Sequence, residues 1–212
     1  MKKTLKRYLL TTFLLSGLSI TSTNSHALEV TPLLGYRGGG EFIDTLSGTK
    51  HTVDSSEVYG LIIGWPYERG KDIEIYYSHQ SSRLNSVDIS DPSTPTTNNV
   101  DIPLTIDYLH IGGTAPITEE DSYKTFVSGG LGLTYLSPDL NGLQSDLRAS
   151  FSIGVGVKWP MTENISLRLE TRGLATLFNS NSAIFCSGGC ALSVNGSLFF
   201  QGEVSAGLAI KF

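Results

Sequence analysis

The chain has 212 residues and a formal net charge of −5, and 40% of its residues are apolar while only 17% are charged. The first 27 residues hold four bases and no acid, so 11 bases and 20 acids follow them and give a net charge near −9. An acidic balance of this size argues against a nucleic-acid partner, because phosphate binding needs clustered Lys and Arg. A chain of this length is expected to form one domain.

The amino terminus has the pattern of a secretory signal peptide. Four bases precede an apolar run over residues 8–20, and a polar stretch then ends in Ser25-His26-Ala27, which has the small-x-small form of a cleavage site. The sequence therefore predicts a cleaved signal peptide over residues 1–27 and one exported domain over residues 28–212. Past residue 27, no stretch approaches the roughly 18 to 20 continuous apolar residues of a membrane-spanning helix.

Eight segments follow in which apolar residues alternate with other residues, the pattern of half-buried strands, here of about 9 to 15 residues. Along the first half of the chain, their apolar faces consist of Leu28, Val30, Leu34 and Tyr36, then Tyr59, Leu61, Ile63 and Trp65, then Ile73, Ile75 and Tyr77, and then Leu104, Ile106 and Tyr108. Along the second half, they consist of Val127, Leu131, Leu133 and Tyr135, then Phe151, Ile153, Val155, Val157 and Trp159, then Ile165, Leu167 and Leu169, and finally Phe200, Val204, Ala206, Leu208, Ile210 and Phe212.

The connections between these segments are alternately long and short. The short ones cover residues 66–72, 115–121 and 160–164, and the long polar ones cover residues 38–56, 81–102, 137–147 and 179–196. Loops longer than about 12 to 15 residues are uncommon in compact domains and are usually functional. In an even-stranded meander, this alternation places all the long loops at one end.

Two all-β architectures produce such a pattern, a two-sheet sandwich and a closed transmembrane barrel. The polar face mixes glycines with long charged side chains, which suits a crowded barrel interior better than a solvated sheet. Aromatic residues near the strand ends of the apolar face are typical of the two interfacial girdles of a membrane barrel. They are Tyr36, Tyr59, Trp65, Tyr77, Tyr108, Tyr123, Tyr135, Trp159 and Phe212. We therefore predict an all-β fold, an eight-stranded antiparallel up-and-down transmembrane β-barrel.

The last segment, residues 203–212, alternates regularly and ends in the aromatic Phe212. With eight strands and a signal peptide, the chain resembles the small eight-stranded outer-membrane β-barrel proteins of Gram-negative bacteria, the OmpA-domain and OmpX-like group. The resemblance implies an outer-membrane location among lipid and lipopolysaccharide, with extracellular long loops. It also implies that the assembly machinery of the outer membrane reads the strand ending in Phe212. We expect a monomer without cofactor or metal.

An eight-stranded barrel has an interior that side chains can fill. By parity, it receives five acids and six bases, namely Glu29, Glu74, Asp107, Glu170, Glu203, Arg37, Lys124, Lys158, Arg168, Arg172 and Lys211. Such near balance is required, because an unpaired buried charge is unfavourable. We predict a network in the middle of the lumen that consists of Asp107, Arg168, Glu170, Arg172 and Glu203. The network either plugs the lumen or sets the selectivity of a narrow pore.

Cys186 and Cys190, the two cysteines of the chain, lie in the fourth long loop as Cys-Ser-Gly-Gly-Cys. In an oxidising compartment, two such cysteines usually pair, and the glycines between them allow a tight turn. We predict a structural disulfide.

A His-x-Ser pair, His79 and Ser81, lies at the upper end of the third predicted strand and faces lipid by parity. Glu57 lies on the same face of the neighbouring strand. This set is similar to that of the lipid A deacylase barrels, whose His, Ser and Glu hydrolyse acyl chains at the outer leaflet, although the wider motif of that family is missing. A base-activated hydroxyl at that depth would meet an ester.

The sequence thus favours a barrel with a structural or surface-interaction role and no enzymatic activity. Two other functions stay open, a narrow ion-conducting pore and an outer-leaflet lipid A hydrolase.

Overall fold

The computed structural model describes residues 28–43, 50–68, 70–89, 98–120, 122–140, 143–178, 182–186, 190–194 and 198–212. The predicted signal peptide, residues 1–27, lies outside these ranges. Within them, no helix has the length and apolar character needed to cross a membrane.

The described residues form twelve strands. In chain order they are β1 (Glu29–Gly38), β2 (Glu41–Ile43), β3 (Lys50–Thr52), β4 (Ser56–Glu68), β5 (Lys71–Ile89), β6 (Asn98–Glu119), β7 (Lys124–Pro138), β8 (Asp146–Pro160), β9 (Ile165–Leu177), β10 (Ser182–Cys186), β11 (Cys190–Val194) and β12 (Leu198–Lys211).

Eight of these strands close into one barrel in the order β1-β12-β9-β8-β7-β6-β5-β4. Each neighbouring pair is antiparallel, and β12 pairs with β1 from Glu29↔Lys211 to Gly38↔Gly202 to close the ring. The predicted fold class is therefore confirmed, and the sandwich alternative is wrong. The short strands form two hairpins, β2–β3 and β10–β11, inside the first and last long connections.

The wall of the barrel presents its apolar side chains outward. Leu131 and Ile153 are 73% and 67% exposed, and Leu34 and Val204 are similarly open. The alternate positions of the same strands are buried inside the lumen, as Ser152 and Arg168 show. Apart from β6, the predicted faces of the barrel strands are confirmed.

The predicted faces of β6 are wrong. Leu104, Ile106 and Tyr108 are buried inside the barrel, whereas Asp107 and Leu109 face outward. The register sets this phase, because Tyr108 lies opposite Ser78 and Thr134, which both face the lumen. The prediction assumed that the more polar residues of β6 face the lumen, whereas the upper part of this lumen is apolar. Tyr108 thus does not belong to an aromatic girdle.

Two predicted interior bases are also placed wrongly. Lys124 is exposed at the start of β7, where its Nζ pairs with Glu119 Oε1 at 3.1 Å. Lys211 is exposed at the end of β12. Both residues lie where a strand leaves the barrel, so parity no longer places their side chains in the lumen.

The two ends of the barrel differ. At the short-turn end, β4 and β5 are joined through Gly70, whose φ of 77° lies in the left-handed region that glycine tolerates. At the long-loop end, a bridge between Val53 and Leu84 holds the β2–β3 hairpin against β5. The backbone N–H of Val53 also donates to the carbonyl of Gly40 at 3.0 Å.

One inward glycine makes room for a ring that organises the lumen. A Cβ on Gly156 would collide with the ring of Phe126 and lie 2.7 Å from the carbonyl oxygen of Leu169. The guanidinium of Arg168 stacks on the same ring, 4.6 Å from its centroid. Gly156 therefore lets Phe126 lie flat under a buried charge.

We expect Gly156→Ala to lower the free energy of unfolding by about 1–3 kcal/mol, because the added methyl group overpacks the wall beside Phe126. The measurement is urea unfolding of the folded barrel in detergent. Gly202→Ala is the matched control, since no heavy atom lies within 4 Å of its added Cβ. Equal midpoints for the two variants would contradict this packing.

Candidate functional site

The first group of side chains with functional potential is a charge network in the lumen near the short-turn end. The Nη1 and Nη2 atoms of Arg168 donate to the two carboxylate oxygens of Glu74 at 2.6 and 3.0 Å. Arg168 also donates to Glu170 Oε2 from Nε at 3.0 Å and from Nη2 at 2.7 Å. Arg172 Nη2 donates to the other Glu170 oxygen at 2.6 Å. All four side chains are buried and bonded to one another, so none of them is a free charge in the lumen.

A second charge pair lies higher in the lumen. Arg37 Nη2 donates to Glu203 Oε2 at 2.6 Å, and Tyr76 Oη donates to the same carboxylate at 2.8 Å. Arg172 lies over the Tyr76 ring, 4.2 Å from its centroid, and so connects this pair to the lower network. Arg37 also donates to Ser78 Oγ. The two networks together neutralise the interior.

Neutral polar side chains form the next layer. Tyr108 Oη lies 3.2 Å from Thr176 Oγ1 and donates to Gln201 Oε1 at 3.1 Å. Gln201 Nε2 donates to Gln80 Oε1 at 3.2 Å, and Thr134 and Thr176 share a 2.9 Å hydrogen bond. This layer crosses the lumen from β5 to β9 and occupies it with mutually paired groups.

Above that layer, the lumen is filled by apolar side chains, which we call the apolar plug. Its members are buried and in mutual contact: Val53, Leu84, Ile102, Leu104, Ile106, Leu136, Leu174, Phe178 and Phe199. These packed side chains occupy the space that a water-filled path would need. Together with the charge networks, the plug closes the lumen along the described part of the chain.

Four of the five residues predicted for the lumen network, Arg168, Glu170, Arg172 and Glu203, lie inside the barrel. Asp107 does not, and the prediction that placed it there is wrong. Its side chain stands on the outer wall, for the reason given above for β6. Glu74 and Arg37, which parity also placed inside, are direct partners in the network.

The second group is a cluster on the outer wall, which consists of Tyr77, His79, Ser81 and Asp107. His79 Nδ1 lies 2.8 Å from Asp107 Oδ1, and His79 Nε2 lies 3.3 Å from Ser81 Oγ. Tyr77 Oη donates to Asp107 Oδ1 at 3.0 Å. The side chains of His79 and Asp107 are 33% and 22% exposed. A hydroxyl, an imidazole and a carboxylate thus lie in sequence on an open surface.

The strand register builds this cluster. His79 lies opposite Tyr59 on β4 and opposite Asp107 on β6, and Asp107 lies opposite Tyr135 on β7. Directly opposed residues have their side chains on the same face of the sheet. The Tyr59 ring stacks on the His79 ring, with 6.0 Å between centroids and 16° between planes. The imidazole is therefore held on one side by a ring and on the other by a carboxylate.

Exposed aromatic residues indicate how high the cluster lies on the barrel wall. Tyr36, Tyr59, Tyr77 and Tyr135 are exposed toward the long-loop end. Such rings mark the boundary between hydrocarbon and headgroups in membrane barrels. Trp159 and Phe212 are exposed at the short-turn end. The outer-wall cluster lies in the upper girdle.

Asp107 is exceptional among the described residues, because the outward positions between the lower girdle and the outer-wall cluster hold no other Asp or Glu and no Lys or Arg. A charged side chain on the lipid-facing wall of a barrel is unfavourable. Positions that break such a rule are expected at functional sites. The acid predicted for this set was Glu57. Glu57 is exposed on β4, while Asp107 is the acid bonded to His79. The sequence held no signal for this placement, because the phase of β6 is set by its register against β5 and β7.

The side chains of Cys186 and Cys190 lie outside the described residues, so the disulfide stays a prediction. Their backbones are opposed in the β10–β11 hairpin. At the carboxy terminus, the backbone N–H of Phe212 donates to the carbonyl of Leu28 at 2.9 Å.

No protein-family model matches the chain, and no curated protein matches it by sequence. Its fold is similar to those of several solved structures. Neisserial surface protein A matches with a TM-score of 0.56 at 15% identity, over 89% of this chain and 98% of that one. The outer membrane protein OprG from Pseudomonas aeruginosa matches with a TM-score of 0.52 at 15% identity, over 89% and 96% of the two chains. The chain therefore has the fold of the small eight-stranded outer-membrane barrels.

We expect Arg168→Met to lower the free energy of unfolding by about 3–5 kcal/mol, because it leaves the buried Glu74 carboxylate without its partner. Adding Glu74→Gln should recover at least half of that loss, since Glu170 keeps Arg172. The measurement is urea unfolding in detergent, followed by the fluorescence of the two tryptophans, Trp65 and Trp159. Lys124→Met, which removes an exposed ion pair, should change stability by less than about 1 kcal/mol. A double variant no more stable than the single one would contradict the pairing.

Proposed function

We propose that this chain is an integral protein of the outer membrane of a Gram-negative bacterium. It would cross the membrane with residues 28–212 after removal of residues 1–27. The support is a continuous belt of exposed apolar side chains, with Leu131 and Ile153 among the most open. A soluble monomer rarely exposes apolar surface on this scale, and the belt is bounded by aromatic girdles on both sides. The shared fold agrees with this location.

We further propose that the protein acts at its surface rather than as a pore. The single observation that carries this proposal is the closed lumen, in which paired charges and the apolar plug follow one another. Among the buried charges of the lumen that the structure describes, Arg168 and Arg37 are bonded to Glu74 and Glu203, so none of these four is free to guide an ion. What the protein can present to other molecules is its outer wall and its long-loop end.

The long-loop end is built to project. Beyond the row that contains His79, β5 continues for ten residues to Ile89, about 33 Å at 3.3 Å per residue. The register with β6 runs to the pair Ile89↔Asn98. Asn85 Nδ2 donates to Asp54 Oδ1 at 2.6 Å, and Asp54 N–H donates to the carbonyl of Arg83 at 2.9 Å. Hydrogen bonds therefore hold the base of this projection in a fixed orientation, as a surface for recognition requires.

The proposal includes partners. Outer-membrane lipid and lipopolysaccharide would surround the belt, and the assembly machinery would bind the strand that ends at Phe212. The long loops would face outward from the cell, with Cys186 and Cys190 joined in the last of them. The protein would act as a monomer, since each of the eight barrel strands has both of its edges paired within one chain.

The location predicts a specific behaviour in the cell. The full chain should fractionate with the outer membrane and should lose residues 1–27, as intact mass will show. The folded barrel should migrate differently on a gel before and after boiling, because heat opens the closed sheet. A mature chain that stays in solution without detergent would contradict the proposed location.

The closed lumen predicts the absence of steady conductance. Wild-type barrel in planar bilayers should show no stable current steps, because the apolar plug excludes water and the charges are paired. An open porin in the same bilayers is the positive control. Steady current that changes with Glu203→Gln or Arg168→Gln would support the pore instead.

A further inference from the structure

We propose that the outer-wall cluster is a hydrolytic site for the acyl esters of outer-leaflet lipids, with Ser81 as nucleophile, His79 as base and Asp107 as the carboxylate that orients the base. This activity goes beyond the surface role proposed above. The sequence left an outer-leaflet hydrolase open with Glu57 as its acid, and the structure places Asp107 in that role. It rests on the linked Ser81–His79–Asp107 geometry and on the position of that geometry on the wall.

The chain of contacts has the order that nucleophilic catalysis needs. Asp107 accepts from His79 Nδ1 at 2.8 Å, which leaves Nε2 free to take the proton of Ser81 Oγ at 3.3 Å. A nucleophile, a base and an orienting acid in this order define such a site on unrelated folds. Tyr77 fixes the carboxylate, and Tyr59 fixes the plane of the imidazole.

The depth of the site selects the substrate class. The phenol rings of Tyr59, Tyr77 and Tyr135 place the cluster at the boundary between headgroups and hydrocarbon. The ester carbonyls of membrane lipids lie at this boundary, so an acyl ester can reach Ser81 without leaving the bilayer. Water for the second half of the reaction arrives from the headgroup side.

The surroundings favour an anionic intermediate. Thr105 lies opposite Ser81 on β6, so its hydroxyl stands beside the nucleophile on the same face. Arg83 is exposed two residues further along β5, about 7 Å away at 3.3 Å per residue. We assign Thr105 as a hydrogen-bond donor to the oxyanion and Arg83 as a contact for headgroup phosphate.

The reaction balances with water as the only co-reactant. Ser81 Oγ attacks the ester carbonyl as its proton passes to His79 Nε2. The tetrahedral intermediate then expels the alcohol, which leaves with that proton, and the acyl group stays on Ser81. Water attacks the acyl-serine as His79 takes its proton. The fatty acid departs, and Ser81 Oγ regains the proton.

The experiment uses the full chain, expressed, folded and purified in detergent, with folding checked by heat-dependent migration. The first readout is covalent labelling by a long-chain fluorophosphonate, located by peptide mass analysis. The second readout is fatty acid released from two kinds of vesicle, one of phosphatidylethanolamine and phosphatidylglycerol and one that also contains lipopolysaccharide. Release from both kinds of vesicle identifies phospholipid as the source of the ester, and release only in the presence of lipopolysaccharide identifies lipopolysaccharide. Either result supports the proposal.

We expect wild-type protein to be labelled on Ser81 and to release fatty acid. Ser81→Ala should abolish both signals. His79→Gln and Asp107→Asn should slow labelling and release by about 10²- to 10⁴-fold while the barrel still folds. Ser137→Ala, which removes a hydroxyl from the outer face of β7, and Glu57→Gln should leave both rates close to wild type.

Three results would overturn the proposal. The first is the absence of labelling and of fatty-acid release with both kinds of vesicle. The second is a Ser81→Ala variant as active as wild type, which would assign the release to another protein. The third is an Asp107→Asn variant with the wild-type rate and pH profile of labelling and release. In that case the contact between Asp107 and His79 would have only a structural role.

Discussion

The closure of the sheet between β1 and β12 is the constraint on which the rest of the structure depends. Once the last strand pairs with the first, each barrel strand has partners on both edges and its backbone groups are satisfied without water. Alternate side chains are then forced into a narrow lumen, where a charge without a partner is strongly unfavourable. The bidentate contact between Arg168 and Glu74, and the contact between Arg37 and Glu203, follow from this confinement. The same closure sends the apolar positions outward.

Most of this fold could be predicted because seven strands combine a polar inner face with an apolar outer face. Arg168 and Glu170 alternate with Leu167 and Leu169, so polarity alone places them correctly. β6 failed for a physical reason. Its upper half lines the apolar plug, so an inward residue such as Ile106 is no more polar than its outward neighbours. Only the register against two neighbouring strands settles the phase, and a single sequence does not contain it.

The outer-wall cluster was half predictable for the same reason. The His-x-Ser spacing put His79 and Ser81 on one face of a strand, and both residues lie there. The acid was misassigned to Glu57, because the predicted inner and outer faces of β6 were exchanged and Asp107 was placed inside the lumen. A carboxylate assumed to be inside a barrel needs no explanation beyond charge balance. The same carboxylate on the lipid-facing wall, bonded to a histidine and a tyrosine, requires one.

The barrel also has a front and a back within the plane of the membrane. β5 and β6, which carry His79 and Asp107, lie across the ring from β9 and β12, whose outward residues include Leu169, Val204 and Leu208. Neighbouring molecules in the bilayer therefore meet the polar outer-wall cluster on one flank and a mainly apolar surface on the other. Lateral contacts of this protein are therefore directional: close packing is favoured on the apolar flank, which leaves the flank with the outer-wall cluster accessible.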